Sequence, residues 1–232
     1  MNIIWLGHGS FRIETGDQVI LVDPWLSGNP MLPADRHADA VAGATHILVT
    51  HGHFDHTADI VSLSAQADIP VSGMVELAQH LHAQGAVEGA AFNMGGTIPI
   101  GTGATASMVP ASHSSSIPVG QTKHYTGSES GFVLRAEGRC IYLSGDTGLM
   151  ADMGWIADYF KPDVGILSAG GHYTMDMEMA AYACRTWFDF KLVIPCHYRT
   201  FDALEQSADA LRNGVMPGTT VIEPQVMKAI RL

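Results

Sequence analysis

Residues 50–56, with the sequence Thr-His-Gly-His-Phe-Asp-His, hold a dense group of residues that can bind metal. Imidazole nitrogens and carboxylate oxygens suit zinc, iron, nickel and manganese. Side chains two positions apart lie on the same side of the chain only where the backbone is extended. We therefore expect an extended segment in which His51 and His53 share one ion, with Gly52 letting the backbone bend around it. Asp55 and His56 are then free to face a second ion.

The elements around this segment determine where it lies in the fold. The apolar run Ile47, Leu48 and Val49 precedes it directly. A short β-branched run bounded by turn residues is typical of a buried strand. The ligands are thus predicted at the end of that strand, with Asp55 and His56 where the chain turns into a helix.

The pattern His-x-His-x-Asp-His resembles the signature of the metallo-β-lactamase superfamily. The resemblance extends to three later positions that each follow an apolar run, namely His113, Asp146 and His197. It covers nearly the whole chain and is greatest toward compact metal-dependent hydrolases related to L-ascorbate-6-phosphate lactonase. Four stretches carry this closer similarity: Trp-Leu-Gly-His at 5–8, Val-Asp-Pro-Trp at 22–25, Gly-Asp-Thr-Gly at 145–148 and Gly-Gly-His-Tyr-Thr-Met at 170–175.

The resemblance implies an α/β fold, the αββα four-layer sandwich of two mixed β-sheets with helices outside. It implies one hydrolase domain over residues 1–232, a point that length alone leaves open. It also implies two divalent metal ions as cofactors, with Zn2+ as first choice and Mn2+, Fe2+ or Ni2+ as alternatives. In this arrangement His51, His53 and His113 hold one ion, Asp55, His56 and His197 hold the other, and Asp146 contacts both.

The expected reaction is hydrolysis of a small ester, lactone or phosphoester by water that the two ions activate. Asp55 can orient that water as well as bind metal. Two alternatives stay open: a mononuclear-iron sulfur dioxygenase, which can share the His-x-His-x-Asp-His pattern, and a phosphodiesterase acting on nucleotides. A di-iron oxidoreductase of this fold would carry glutamate in place of His53, and a non-catalytic binding module would have lost ligands.

Seven further polar residues are candidates for the site. The resemblance implies that Asp23 supports the metal loop by hydrogen bonding. His8 either lines the site or is an ordinary turn residue, and Arg199 is either a clamp for an anionic substrate or a surface charge. His172 is interpreted as a catalytic residue that donates a hydrogen bond or a proton to the substrate, or as a support for a ligand loop. Lys123, His124 and Tyr125, in the segment 118–129 that we predict to be mobile, are candidate substrate contacts.

The overall composition narrows the class of protein. The formal net charge is −11, with 47% apolar and 15% charged residues, which describes a globular protein with a large core. The negative charge argues against a nucleic-acid partner, and no apolar run approaches the roughly 20 residues of a membrane span. We expect a cytoplasmic enzyme with a small-molecule substrate, because no signal peptide is visible and three cysteines are too few for a disulfide framework. The sequence leaves open whether the chain forms a homo-oligomer.

Periodicity and turn residues predict the elements that separate these positions. Helices are expected at 57–67, 75–84, 147–160, 176–188 and 202–213. Residues 24–37 contain three prolines and no periodicity, so we predict a long loop that can form one wall of the active-site cleft. Trp25, Leu26 and Met31 would line that wall, with core packing as the alternative for Trp25.

Overall fold

Sixteen β-strands and seven α-helices make up the structure, a computed structural model that describes all 232 residues. The strands are β1 (Asn2–Gly7), β2 (Ser10–Thr15), β3 (Gln18–Val22), β4 (His46–Val49), β5 (Val71–Met74), β6 (Glu88–Phe92), β7 (Thr97–Ile100), β8 (Ala104–Pro110), β9 (Ser116–Val119), β10 (Thr122–Tyr125), β11 (Ser130–Ala136), β12 (Arg139–Leu143), β13 (Val164–Ser168), β14 (Leu192–Cys196), β15 (Thr220–Val221) and β16 (Ala229–Arg231).

The helices are α1 (His37–Val41), α2 (Phe54–Thr57), α3 (Ile60–Ala67), α4 (Val75–Ala83), α5 (Asp152–Phe160), α6 (Met177–Trp187) and α7 (Asp209–Gly214), with a 3-10 turn at Ala34–Arg36 before α1. The longest, α6, has 11 residues and is capped at its N-terminus by Asp176, whose side chain accepts a hydrogen bond from the Met179 backbone N–H. No helix combines the length and the apolar character that crossing a bilayer requires.

Fourteen of the strands form two seven-stranded mixed sheets, in the orders β16-β1-β2-β3-β4-β5-β6 and β15-β14-β13-β12-β11-β8-β7. Each sheet has an antiparallel half and a parallel half. In the first sheet β3 to β6 pair parallel, and in the second β12 to β15 do so. The predicted α/β class and the sandwich of two mixed sheets are confirmed.

One hydrophobic core joins the two sheets. The central strand β13 is buried at every position, because a parallel strand covered on both faces needs apolar or small residues throughout. Trp5, Phe11 and Phe132 are among the largest side chains with almost no exposed surface. Fully burying a side chain of this kind contributes roughly 1.5–3 kcal/mol, so the core holds the strand ends in fixed positions.

Two predicted helices start several residues later than expected because tertiary contacts replace local preference. The helix expected at 147–160 starts only at Asp152, since Thr147 and Gly148 hydrogen-bond to the backbone of Ser112. The helix expected at 202–213 starts at Asp209, because Leu204 forms a β-bridge with Gly171. The segment 118–129, predicted to be mobile, contributes to the two-stranded hairpin of β9 and β10.

Candidate metal centre

The loops that carry the candidate ligands all follow C-terminal strand ends. Residues 51–53 are extended after β4, as the ligand spacing predicts. The helix expected at 57–67 is two helices in the structure, α2 from Phe54 and α3 from Ile60. His113 follows β8, Asp146 follows β12 and His197 follows β14. The ends of these strands meet at one edge of the sandwich. They bring all seven predicted ligands together in two adjacent groups.

The first ligand group consists of His51, His53 and His113. His53 Nδ1 lies 3.0 Å from His51 Nε2 and 3.2 Å from His113 Nε2. A single imidazole nitrogen carries either one proton or one lone pair, so His53 Nδ1 cannot satisfy both neighbours by hydrogen bonding. Three converging nitrogen lone pairs are instead the arrangement that a cation accepts.

The second ligand group consists of Asp55, His56, Asp146 and His197, all buried. Asp146 Oδ2 is 2.9 Å from His197 Nε2 and 3.4 Å from His56 Nε2. The same oxygen is 3.8 Å from His113 Nε2 in the first ligand group. One carboxylate therefore contacts both groups, which is the position that the sequence-based interpretation gives to Asp146.

Charge is distributed differently in the two groups. Burial, together with neighbouring imidazoles, lowers the pKa of His51, His53 and His113, so these rings are neutral near pH 7 and present lone pairs. In the second group, burial alone would raise the pKa of the Asp55 and Asp146 carboxyls, but the adjacent imidazoles hold both well below their usual range. For His197 the signs are opposite: burial would lower the pKa, but the Asp146 and Asp55 carboxylates raise it to about 9.

The environment of the second group fits a cation. Burial would lower the pKa of His56, but Asp146, Asp23 and Asp55 raise it well above its usual value. His56 Nε2 is buried and has no hydrogen-bond partner, although it lies near the two group carboxylates. A protonated ring here supplies positive charge that a divalent ion can replace on binding.

Asp23, which directly follows β3, connects that strand to the second ligand group. It is buried and accepts hydrogen bonds from His56 Nδ1 at 2.8 Å, from the Thr50 backbone N–H at 2.8 Å and from the Thr50 hydroxyl. Thr50 Oγ1 is in turn 3.0 Å from His51 Nδ1. The side chain thus contacts a ligand histidine directly and supports a second through Thr50, the kind of contact that fixes ring orientation at metal sites.

His8 is completely buried beside the second ligand group. Its Nε2 is 2.8 Å from Asp55 Oδ2, and its Nδ1 is 2.8 Å from Thr200 Oγ1. Burial lowers the pKa of His8 to about 4 despite the Asp55 carboxylate. Of the two interpretations of His8, the geometry matches the one that places it at the site.

A cavity of about 520 Å³ opens onto the two ligand groups. Its walls include members of both groups, His8, the hydroxyl residue Ser114 and the cation Lys123, and the apolar share comes from Phe54, Tyr173, Phe201 and Ala203. Volumes of about 300–1,000 Å³ are typical of small-molecule sites. The predicted lining residues Trp25, Leu26 and Met31 are not part of this wall. Trp25 is buried behind it, with T-shaped ring contacts to His8 and Phe54.

His172 and Arg199, both predicted to act on the substrate, do not line this cavity. His172 is exposed, and its ring packs edge-on against Tyr173, the residue of that turn which does reach the cavity. Arg199 is also exposed, and its guanidinium lies over the Tyr198 ring with 5.7 Å to the centroid. The catalytic role of His172 and the anion-clamp role of Arg199 therefore stay predictions, to be tested by His172→Gln and Arg199→Gln kinetics.

Sequence reasoning missed several contacts that complete the site. Thr200, Tyr173 and Phe201 each stand within two residues of a position that was singled out. Proximity to a strand's C-terminal end is the signal that could have identified them. Which residue of a turn points inward depends on backbone torsion, here a positive φ of 87° at Gly171 and 65° at Arg199, which the residue types alone do not fix.

Known proteins resemble the chain over its full length. The sequence matches the β-lactamase superfamily domain over residues 18–212. A UPF0173 metal-dependent hydrolase of Roseobacter denitrificans is 58% identical over 231 residues, and one of Ruegeria pomeroyi is 58% identical over 232, each covering 100% of both chains. The solved structure of Igni18, a metallo hydrolase from the archaeon Ignicoccus hospitalis, superposes with a TM-score of 0.86 at 26% identity, covering 99% of this chain and 97% of that chain.

Proposed function

Because this chain belongs to the β-lactamase superfamily and, within it, to the UPF0173 metal-dependent hydrolases, we propose that it hydrolyses a small molecule at a centre of two divalent cations. The observation that carries the proposal is the convergence of seven imidazole and carboxylate side chains into two adjacent groups. Seven ligands exceed what a single tetrahedral zinc ion takes, which favours two ions over one.

The first ligand group would hold one cation and the second ligand group the other, with Asp146 contacting both. Zn2+ suits this mixture of imidazole and carboxylate, and Mn2+, Fe2+ and Ni2+ are alternatives. When bound, such cations activate water and stabilise the negative charge that develops on the substrate. Most candidate ligands are buried, and an ion held there would face solvent through the cavity.

The residues of this chain would bind the substrate and position the reactants. Asp55 lies at the cavity wall and belongs to the second ligand group, so its carboxylate can orient the attacking water. Phe54, Tyr173 and Phe201 offer apolar surface for the substrate body. The cavity size and the formal charge of −11 support a small ester, lactone or phosphoester rather than a nucleic acid.

Asp55→Asn tests this proposal, because it removes a charge with little change of shape. We expect hydrolysis of the substrate found by screening lactones, phosphodiesters and esters to fall by about 10²-fold or more, since the carboxylate that orients the attacking water is lost. The matched control is Asp17→Asn, which alters an exposed carboxylate on the hairpin between β2 and β3.

Circular dichroism and elemental analysis accompany the kinetics, so that loss of folding or of metal is recognised. Full activity in a folded, metal-loaded Asp55→Asn protein would contradict the role of Asp55. Loss of activity in Asp17→Asn to the same degree would show that the effect is not specific to the site.

A further inference from the structure

The His8 side chain connects a residue outside both ligand groups to one inside the second group. Its Nδ1 lies 2.8 Å from the Thr200 hydroxyl oxygen, and its Nε2 lies 2.8 Å from Asp55 Oδ2. That carboxylate oxygen is 3.6 Å from Nε2 of both His56 and His197. A short polar path therefore runs from Thr200 to the centre of the second ligand group.

The position of His8 is fixed by its backbone as well as by its ring. Its carbonyl oxygen accepts hydrogen bonds from Trp5 Nε1 at 2.8 Å and from the His197 backbone N–H at 2.9 Å. Its ring centroid is 3.8 Å from that of His197, and the rings of Trp25 and Phe201 make T-shaped contacts with it. With φ at 51°, the residue holds a conformation that is uncommon outside glycine, which the surrounding contacts maintain.

The protons available on Asp55, His8 and Thr200 determine which atom donates each hydrogen bond. An ionised Asp55 can only accept, so His8 must carry a proton on Nε2. A second proton on Nδ1 would make His8 a cation beside His197 and the proposed metal ions, where like charges repel. A neutral ring leaves Nδ1 as an acceptor, and the Thr200 hydroxyl then has to be the donor.

We propose that Thr200 donates a hydrogen bond to His8 Nδ1, and that His8 donates from Nε2 to Asp55, so that both act as positioning residues for the second ligand group. The inference rests on the proposed function, because it assigns the path a role in holding metal. Thr200 has other neighbours, Tyr198 O and Met31 Sδ, but each is 3.3 Å away, longer than the contact to His8. Partners of this kind typically change metal affinity by about 10–100-fold when they are removed.

Thr200→Val and Thr200→Ser form a matched pair for the test. Valine keeps the shape of threonine without its hydroxyl, whereas serine keeps the hydroxyl with less volume. In competition titrations of Zn2+ against a chelator, we expect Thr200→Val to weaken one of two binding steps by about tenfold, and Thr200→Ser to stay within about threefold of the unchanged protein. Equal weakening in both variants, or none in Thr200→Val, would overturn the proposal.

The protonation of His8 is tested directly in the unchanged protein. Long-range ¹H–¹⁵N spectra of the zinc-loaded chain distinguish the two neutral tautomers from the imidazolium ion. We expect a proton on Nε2 and a free Nδ1; a proton on Nδ1, alone or together with one on Nε2, would contradict the path. If the unchanged protein binds no second ion, the proposed function fails, whereas the tautomer still decides whether the hydrogen-bond path exists.

Discussion

Single residues determine which nitrogen of each ligand histidine is free for a metal. Asp23 accepts from His56 Nδ1 and also from the Thr50 hydroxyl, which uses the only proton of that hydroxyl. The 3.0 Å contact between Thr50 Oγ1 and His51 Nδ1 must then be donated by His51. When neutral, both histidines keep a lone pair on Nε2, the nitrogen that faces the ligand groups. The Asp23 carboxylate thus orients one ligand histidine in each group, His56 directly and His51 through Thr50.

Asp23→Asn should weaken metal binding in both ligand groups. An amide in this place can present its NH2 side to His56 or Thr50, which favours the wrong tautomer of the ligand imidazoles. We expect a loss of about 10–100-fold in Zn2+ affinity, measured by competition with a chelator.

Asp59→Asn is the matched control for Asp23→Asn. The Asp59 carboxylate also accepts two hydrogen bonds, from the backbone N–H groups of Leu26 and Ser27, but it does not contact a ligand histidine. Its substitution is expected to alter stability without changing metal affinity. Unchanged affinity in Asp23→Asn, or an equal loss in both variants, would show that the tautomer argument is wrong.

At the scale of elements, the turn after β13 has to pass very close to the residue that β14 delivers. A Cβ built on Gly170 would lie 1.9 Å from the His197 carbonyl oxygen. Gly170→Ala should therefore push this turn and the His197 loop apart, costing about 1–3 kcal/mol of the free energy of unfolding.

Thermal and denaturant unfolding of Gly170→Ala check this expectation. Gly103→Ala serves as the control, because a Cβ there would meet nothing within 4 Å and φ is not in the left-handed region. A Gly170→Ala protein as stable as Gly103→Ala, with metal affinity unchanged, would contradict the close contact between the two loops.

The hairpin of β9 and β10 supplies Lys123, the one lysine or arginine in the cavity wall. If an acidic group of the substrate binds there, Lys123→Met should raise KM for anionic substrates by about threefold to tenfold. Lys123→Arg keeps the charge and should change KM little, and neutral substrates should be unaffected by either change. The measurement compares KM of each variant for a charged and a neutral ester of similar size. Equal effects of Lys123→Met on both esters would rule out a charge contact.

Sequence patterns predicted elements best where local pattern and tertiary packing agree. The extended ligand segment follows from the His-Gly-His spacing, and β13 follows from its apolar run. The start of α5 could not be predicted, because the hydrogen bonds of Thr147 go to Ser112, a residue 35 positions away. The orientation of His172 away from the cavity depends on the Gly171 torsion in the same way.

At the scale of the whole molecule, Glu137 connects the two sheets at the end away from the ligand groups. It lies in the turn between β11 and β12 and accepts hydrogen bonds from the Gly16 N–H and the Thr15 hydroxyl, in the turn before β3. The Met1 amino group also donates to it at 2.8 Å. Asp23 follows β3 at its other end, so this contact stabilises the sandwich without touching the metal centre.

The Glu137 contact predicts a defined pH dependence of stability. The hydrogen bond from the Met1 amino group, followed by those from Gly16 and Thr15, lowers the pKa of Glu137 from 4.5 to about 2. A depressed carboxyl pKa stabilises the fold above about pH 4.5, and this contribution is lost as the pH falls toward 2. Glu137→Gln should therefore unfold more easily at pH 7, and the difference should shrink between pH 4.5 and 2.

Urea titrations at several pH values measure this difference. Glu88→Gln is the control, since Glu88 is an exposed carboxylate on β6. A difference between Glu137→Gln and the unchanged protein that persists at pH 2 would contradict the assignment.

The overall architecture could be predicted because the ligand pattern spans the chain and resembles one superfamily. His51 and His197 are 146 positions apart, yet each follows an apolar strand, and strand ends at one edge of a sandwich converge. The chemistry of the substrate could not be predicted, because the cavity wall takes Phe54 from α2, Lys123 from the hairpin of β9 and β10, and Phe201 from the loop after β14. Their proximity arises only when the sheets pack.

The metal content of the protein tests the central claim most directly. Elemental analysis of the chain purified without chelator and supplied with Zn2+ should give two ions per chain, because the two ligand groups are separate and Asp146 contacts both. One ion or fewer per chain after supplementation would contradict the dinuclear centre, and with it the proposed function.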